Sequence, residues 1–168
     1  MASIIRPRTL TRVASTRAFS TTCPRPNTMP FTLSGSGTGV AQTIKVANRP
    51  HTIQTDAYPA SGGADNAPSP LHFNLSALTS CSQITGSIAA KDAGIKLGKW
   101  DVSVTGELNP AVLVEGEQDN GGAKGNWSSI DFEVRVESDA DESAFQNWAS
   151  ETERRCPVTQ LFKQSGVQ

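Results

Sequence analysis

Cys81 and Cys156 are the residues of this chain best suited to covalent chemistry. Of the three cysteines in the 168-residue sequence, Cys23 stands ahead of the stretch that reads as a folded domain, and these two fall inside it. A thiolate is a strong nucleophile that oxidises stepwise, so two cysteines in one domain invite a paired redox reading. Cys156 follows Arg154 and Arg155 and precedes Pro157. Neighbouring cations and a new helix start are both features that lower a thiol pKa. Cys81 lies among leucines and isoleucines, where a thiol also serves as a small apolar core residue. Residue types alone leave both readings of Cys81 open. The remaining candidates are weaker. Gly35, Gly37 and Gly39 are not followed by the helix that a phosphate cradle requires, so they read as strand edge or loop. His51, just before a strand, reads as facing solvent and His72 as a solvated or interface residue, and Asn74-Leu75-Ser76, a glycosylation pattern, falls within a helical stretch.

The elements that must position the cysteines follow from period and punctuation. Ile44-Lys45-Val46 and Thr52-Ile53-Gln54-Thr55 flank Asn48-Arg49-Pro50, whose turn chemistry predicts a hairpin. Ser69-Pro70 marks a helix start and Asp92-Ala93-Gly94 a stop. At about 100° per residue, Leu71, Leu75, Leu78, Cys81, Ile84, Thr85 and Ile88 fall within roughly 180°. The helix is therefore expected to be mostly buried, with Cys81 in its buried arc. Strict alternation in Trp100–Thr105 and in Ile130–Glu137 predicts antiparallel strands, joined through a Gly-rich connection at Glu115–Gly125. Ser138 or Asp139 is the expected cap of a second helix, with Phe145, Trp148, Ala149 and Thr152 facing inward. A last short helix is expected over Val158–Lys163. The order predicts an α+β fold, with an antiparallel sheet packed against a long central helix and a second helix.

Composition bounds the function. Residues 1–25 carry five arginines and no acid, and the first carboxylate of the chain is Asp56. Such a segment has the character of a mitochondrial transit peptide, and Arg17-Ala18-Phe19-Ser20 resembles a processing site. We expect residues 1–19 to be the transit peptide, 20–30 a linker and 31–168 the domain, destined for the mitochondrial matrix. Removing 1–19 takes away four arginines and no acid, so the formal net charge falls from −1 to −5. That speaks against a nucleic-acid surface, which needs clustered Lys and Arg. No apolar run reaches the ~18 residues of a membrane span.

Two phrases carry a family resemblance. Gly62-Gly63 and Pro68-Ser69-Pro70-Leu71, leading to Ala77-Leu78-Thr79-Ser80-Cys81, and Arg154-Arg155-Cys156-Pro157-Val158-Thr159 resemble the OsmC/Ohr family over Phe31–Gln164, as a fungal-type mitochondrial member. The resemblance implies an intertwined homodimer and a thiol-dependent peroxidase that reduces organic hydroperoxides in oxidative stress defence. It implies Cys81 as the peroxidatic thiol, Cys156 as the resolving thiol, a lipoylated or other dithiol reductant, and neither cofactor nor metal. The sequence departs from the family at the Glu about ten residues before the first Cys, where Leu71 stands beside His72. Arg49 is the one guanidinium between Arg25 and the helix, and it falls in a turn. The family chain continues past its Cys-Pro segment into a final strand, whereas this sequence reaches Gln168. The alternative is therefore a catalytically weak or inactive relative that binds a small hydrophobic ligand or a protein partner.

Overall fold

Glycine and β-branched residues begin the structure. The computed structural model describes residues 28–111 and 127–165, and its secondary structure lies within the compact unit Thr32–Gln168. Strands β1 (Leu33–Thr38), β2 (Ala41–Val46) and β3 (Thr52–Thr55) form an antiparallel sheet in the order β1-β2-β3. The expected hairpin is β2–β3, with Ile44 opposite Ile53, and Asn48 turns it with φ of 59°. Asn tolerates that left-handed conformation because its short polar side chain bonds locally. Gly35 and Gly37 lie in β1, and Gly39 makes the β1–β2 turn at φ 66°.

Helix α1 (Pro70–Ala93) runs between the expected signals, and Gly94 ends it at φ 71°. Strands β4 (Leu97–Leu108) and β5 (Trp127–Ser138) pair antiparallel as a second, two-stranded sheet. The architecture is thus α+β, with two antiparallel sheets where one was expected. Helices α2 (Glu142–Arg155) and α3 (Pro157–Gln164) close the fold. The expected Gly-rich connection, residues 1–19 and 166–168 lie outside the described residues.

The core forms where α1 meets α2 and β4. Ala89, Ala90 and Trp148 are buried, with Leu97, Trp100, Val136, Phe145 and Ala149 packed around them. Small residues on α1 make this possible. A Cβ at Gly86 would stand 2.6 Å from Trp100 Cη2 and 3.2 Å from Trp148 Cζ2, and the Trp148 indole donates to the Gly86 carbonyl at 2.8 Å. Trp100 and Trp148 meet edge to face, a favoured aromatic geometry.

Two expectations need correction. The packed face of α1 is Leu78, Ser82, Thr85, Gly86, Ala89 and Ala90, whereas Ile84 and Ile88 are 62% and 53% exposed. The aromatic rings take the side where α1 is small, so its bulkier stripe is left outside. The cap of α2 is Asp141, which accepts the Ala144 amide at 2.8 Å, rather than Ser138 or Asp139. Ser138 still belongs to β5, and Asp139 accepts the Lys96 amide at 2.9 Å, tying the two strands together at the open end of the β4–β5 ribbon. The inward stripe of α2 is as expected, with Trp148 and Thr152 buried.

Candidate thiol site

Local sequence places each cysteine at a defined point of an element. Cys81 stands in mid-helix on α1, half-buried and next to the packed face at Ser82. Cys156 lies between α2 and α3, because Pro157 cannot continue α2 and instead starts α3. Its sulfur caps α3, accepting the Thr159 amide at 3.5 Å, and its side chain is fully buried. Packing of α3 on α1 brings the two thiols close enough to influence each other's ionisation. Both are free cysteines.

Their environments differ in sign. Burial pushes the Cys81 thiol up, and hydrogen bonding to Cys156 raises it further against smaller opposing effects of the Val158 amide and the Thr85 hydroxyl. Burial also opposes ionisation of Cys156, but the Thr159 hydroxyl and amide, the Cys81 thiol and the Val158 amide together outweigh it. Cys156 is held below the ordinary thiol range. The surroundings thus move the two thiols in opposite directions, and the start of a helix favours the thiolate form of Cys156.

The arginines act differently from the sequence expectation. Arg154 pairs with Glu151 at 2.7 Å, and Arg155 reaches Asp92 at 2.7 Å and Glu151 at 3.3 Å. They fasten α2 to itself and to the end of α1, while the groups that lower Cys156 are Thr159, Cys81 and the Val158 amide. Thr159, Val158 and Thr85 are the groups that the sequence reading missed. The available signal was a Cys-Pro pair at a helix start with a hydroxyl three residues on.

His72 belongs to a separate cluster near the start of α1. Its Nδ1 lies 3.0 Å from Ser69 Oγ and its Nε2 3.3 Å from the Tyr58 hydroxyl. Ser69 thus marks the helix start by position, but its side chain caps no amide. At 1.5 Å per residue, nine residues of helix separate His72 from Cys81 by about 13 Å. His72 does not replace the missing carboxylate, and Arg49 remains in the β2–β3 turn. Among the described residues no group of three or more His, Cys, Asp or Glu side chains is arranged to hold a metal ion.

An apolar cavity of about 440 Å³ opens beside the site, lined in part by Leu78, Trp100, Phe132, Val134, Phe162 and Thr159. Thr159 is shared, since it also bonds Cys156.

These features match known proteins. The family model for OsmC-like proteins matches residues 62–168, and the chain belongs to that family. No curated protein sequence matches the chain. An OsmC-like protein from Mycoplasma pneumoniae superposes with a TM-score of 0.67 at 18% identity, covering 83% of this chain and 92% of that one. An organic hydroperoxide resistance protein from Legionella pneumophila gives 0.56 at 11% identity, covering 82% and 91%. Another, from Elizabethkingia anophelis, gives 0.55 at 16% identity, covering 81% and 89%. At these identities the likeness is one of fold. No helix among the described residues is long and apolar enough to cross a membrane.

Proposed function

We propose that the protein is a two-Cys peroxidase that reduces organic hydroperoxides, with Cys81 as the attacking thiol and Cys156 as the resolving one. The observation that carries this reading is the packing of α3 on α1, which brings the cysteines of α1 and the α2–α3 junction close enough to influence each other's ionisation. Accessibility favours Cys81 as the attacker, because Cys156 is 0% exposed. The apolar cavity suits the carbon skeleton of an organic hydroperoxide better than it suits hydrogen peroxide. Attack by Cys81 on the O–O bond gives a sulfenic acid, Cys156 condenses with it to a disulfide, and a lipoylated or other dithiol restores both thiols by exchange. The test is steady-state consumption of cumene hydroperoxide with dihydrolipoamide as reductant. Cys81→Ser should abolish turnover, and a Cys81→Ser variant as active as the native chain would overturn the reading.

The cavity also favours a second reading, in which the protein is an inactive relative that holds a small hydrophobic ligand. Leu71 in place of the family Glu points the same way. Unchanged hydroperoxide together with saturable binding of an apolar fluorescent probe would select it.

The working unit in this proposal is a homodimer. Every residue of β1 is exposed, and Ile84 and Ile88 form a bare apolar stripe on α1. A second copy covering these faces removes both apolar surface and an unpaired strand edge from water. We further place the protein in the mitochondrial matrix, with residues 1–19 removed, on the arginine-rich, acid-free composition of that segment. Intact residues 1–19 on protein purified from mitochondria would contradict this placement.

A further inference from the structure

A second set of groups suited to covalent chemistry stands at the start of α1, apart from both cysteines. Ser69 occupies the N-cap position, where a serine ordinarily accepts an amide of the first turn. Here its side chain caps no amide. The hydroxyl is turned instead to His72, one helical turn on, with Oγ 3.0 Å from Nδ1. The far nitrogen of the same ring, Nε2, lies 3.3 Å from the Tyr58 hydroxyl, and the two rings meet edge to face at 81°. With its proton on Nε2, the imidazole donates to Tyr58 and keeps Nδ1 free to accept from Ser69. A nucleophile, a base within hydrogen-bond reach of it and a third group that orients the base are the parts of an activated serine.

The surroundings add a place for a substrate. Tyr58, Ser69 and His72 line one cleft of about 600 Å³. Ser69 is 8% exposed, so its oxygen is screened from bulk water while it borders the cleft. Leu71, Leu75 and the Trp127 indole supply an apolar wall. That indole is fixed from two sides: a Cβ at Gly106 would stand 2.7 Å from its ring, and its Nε1 donates to Asn74 at 2.8 Å. The first-turn amides of Leu71 and His72 have no acceptor within the helix, and donors of this kind stabilise the oxyanion of acyl transfer.

We propose that Ser69 and His72 form an acyl-transfer site that hydrolyses carboxylic esters with an apolar acyl chain, with Tyr58 holding the His72 ring. The site involves neither cysteine and is independent of the peroxidase reading. The Ser69 oxygen bonds to the carbonyl carbon while its proton passes to His72 Nδ1, and the carbonyl electron pair moves onto oxygen. As that pair returns, the bond to the alcohol oxygen breaks, and the alcohol oxygen takes the proton from His72. Water then attacks the acyl-serine and gives a proton to His72, and the Ser69 oxygen leaves with that proton. Ester and water become acid and alcohol, with no change in oxidation state.

The test uses the reduced full chain and p-nitrophenyl butyrate. Thiols also cleave such esters, so the background is the variant carrying both Cys81→Ser and Cys156→Ser. Turnover should survive in that background and fall about 100-fold or more when Ser69→Ala or His72→Gln is added. A smaller fall in either, or turnover that disappears with the cysteines, overturns the proposal. Tyr58→Phe should lower kcat and leave KM unchanged, because it acts on the ring and not on the ester; a shift in KM alone overturns that role. Labelling of the native chain depends on no variant. A fluorophosphonate probe should attach to the Ser69 oxygen, and peptide mass mapping that finds Ser69 unmodified overturns the site.

Discussion

At the scale of the residue, the polarity of the thiol pair comes from backbone and hydroxyl donors rather than from the nearby arginines. Arg155 is occupied in joining Asp92 to Glu151. Arg155→Ala should therefore leave the pH profile of cysteine alkylation unchanged, while costing about 0.5–1 kcal/mol of stability, or about 2–4 °C in Tm. A shifted alkylation profile without a stability loss would return the arginines to the thiol. Asp56 makes a second residue-scale point. Its carboxylate accepts the amides of Ala57, Ala64 and Asn66, which hold it below the usual carboxylate range. A depressed folded pKa means a contribution present above the unfolded value of about 4 and lost as the pH falls through the folded pKa. The protection of the Ala64 and Asn66 amides, taken relative to the intrinsic exchange rate at each pH, should fall in acid. Asp56→Asn should show that loss already at neutral pH, and equal protection in the two proteins would contradict the clamp.

At the scale of the element, much was legible. Ser69-Pro70 and Gly94 bounded α1, and strict alternation located the cores of β4 and β5, because these signals are local. The cap of α2 was misplaced for a reason that local sequence cannot carry. Asp139 was already engaged by the Lys96 amide, a partner 43 residues away. The face of α1 was misjudged because apolar residues surround it, and only the tryptophans decide which side packs. That choice is testable at Gly86. Alanine there gains helix propensity of about 1 kcal/mol but drives a methyl into two indoles. We expect a net loss of about 1–3 kcal/mol in chemical denaturation, since overpacking of a rigid aromatic wall outweighs the propensity gain. A more stable Gly86→Ala protein would show that the Trp100–Trp148 wall gives way easily.

At the scale of the whole molecule, the N-terminal sheet adds nothing to the buried core cluster, and α1 leaves its isoleucines bare. This imbalance is what the homodimer proposal resolves. Light scattering at micromolar concentration should give twice the 17.8 kDa of the chain, less any processed segment. Ile88→Lys should shift it toward monomer, and a native chain that is monomeric would remove the dimer. The meeting of Cys81 and Cys156 was not legible from spacing or period. It came from the resemblance of their flanking phrases, because which helices touch is set by long-range packing. The account stands most directly on that meeting. One equivalent of cumene hydroperoxide added to the reduced protein, followed by peptide mass mapping, should yield a Cys81–Cys156 disulfide. Both thiols found still reduced, while a free-thiol control is consumed, would contradict it.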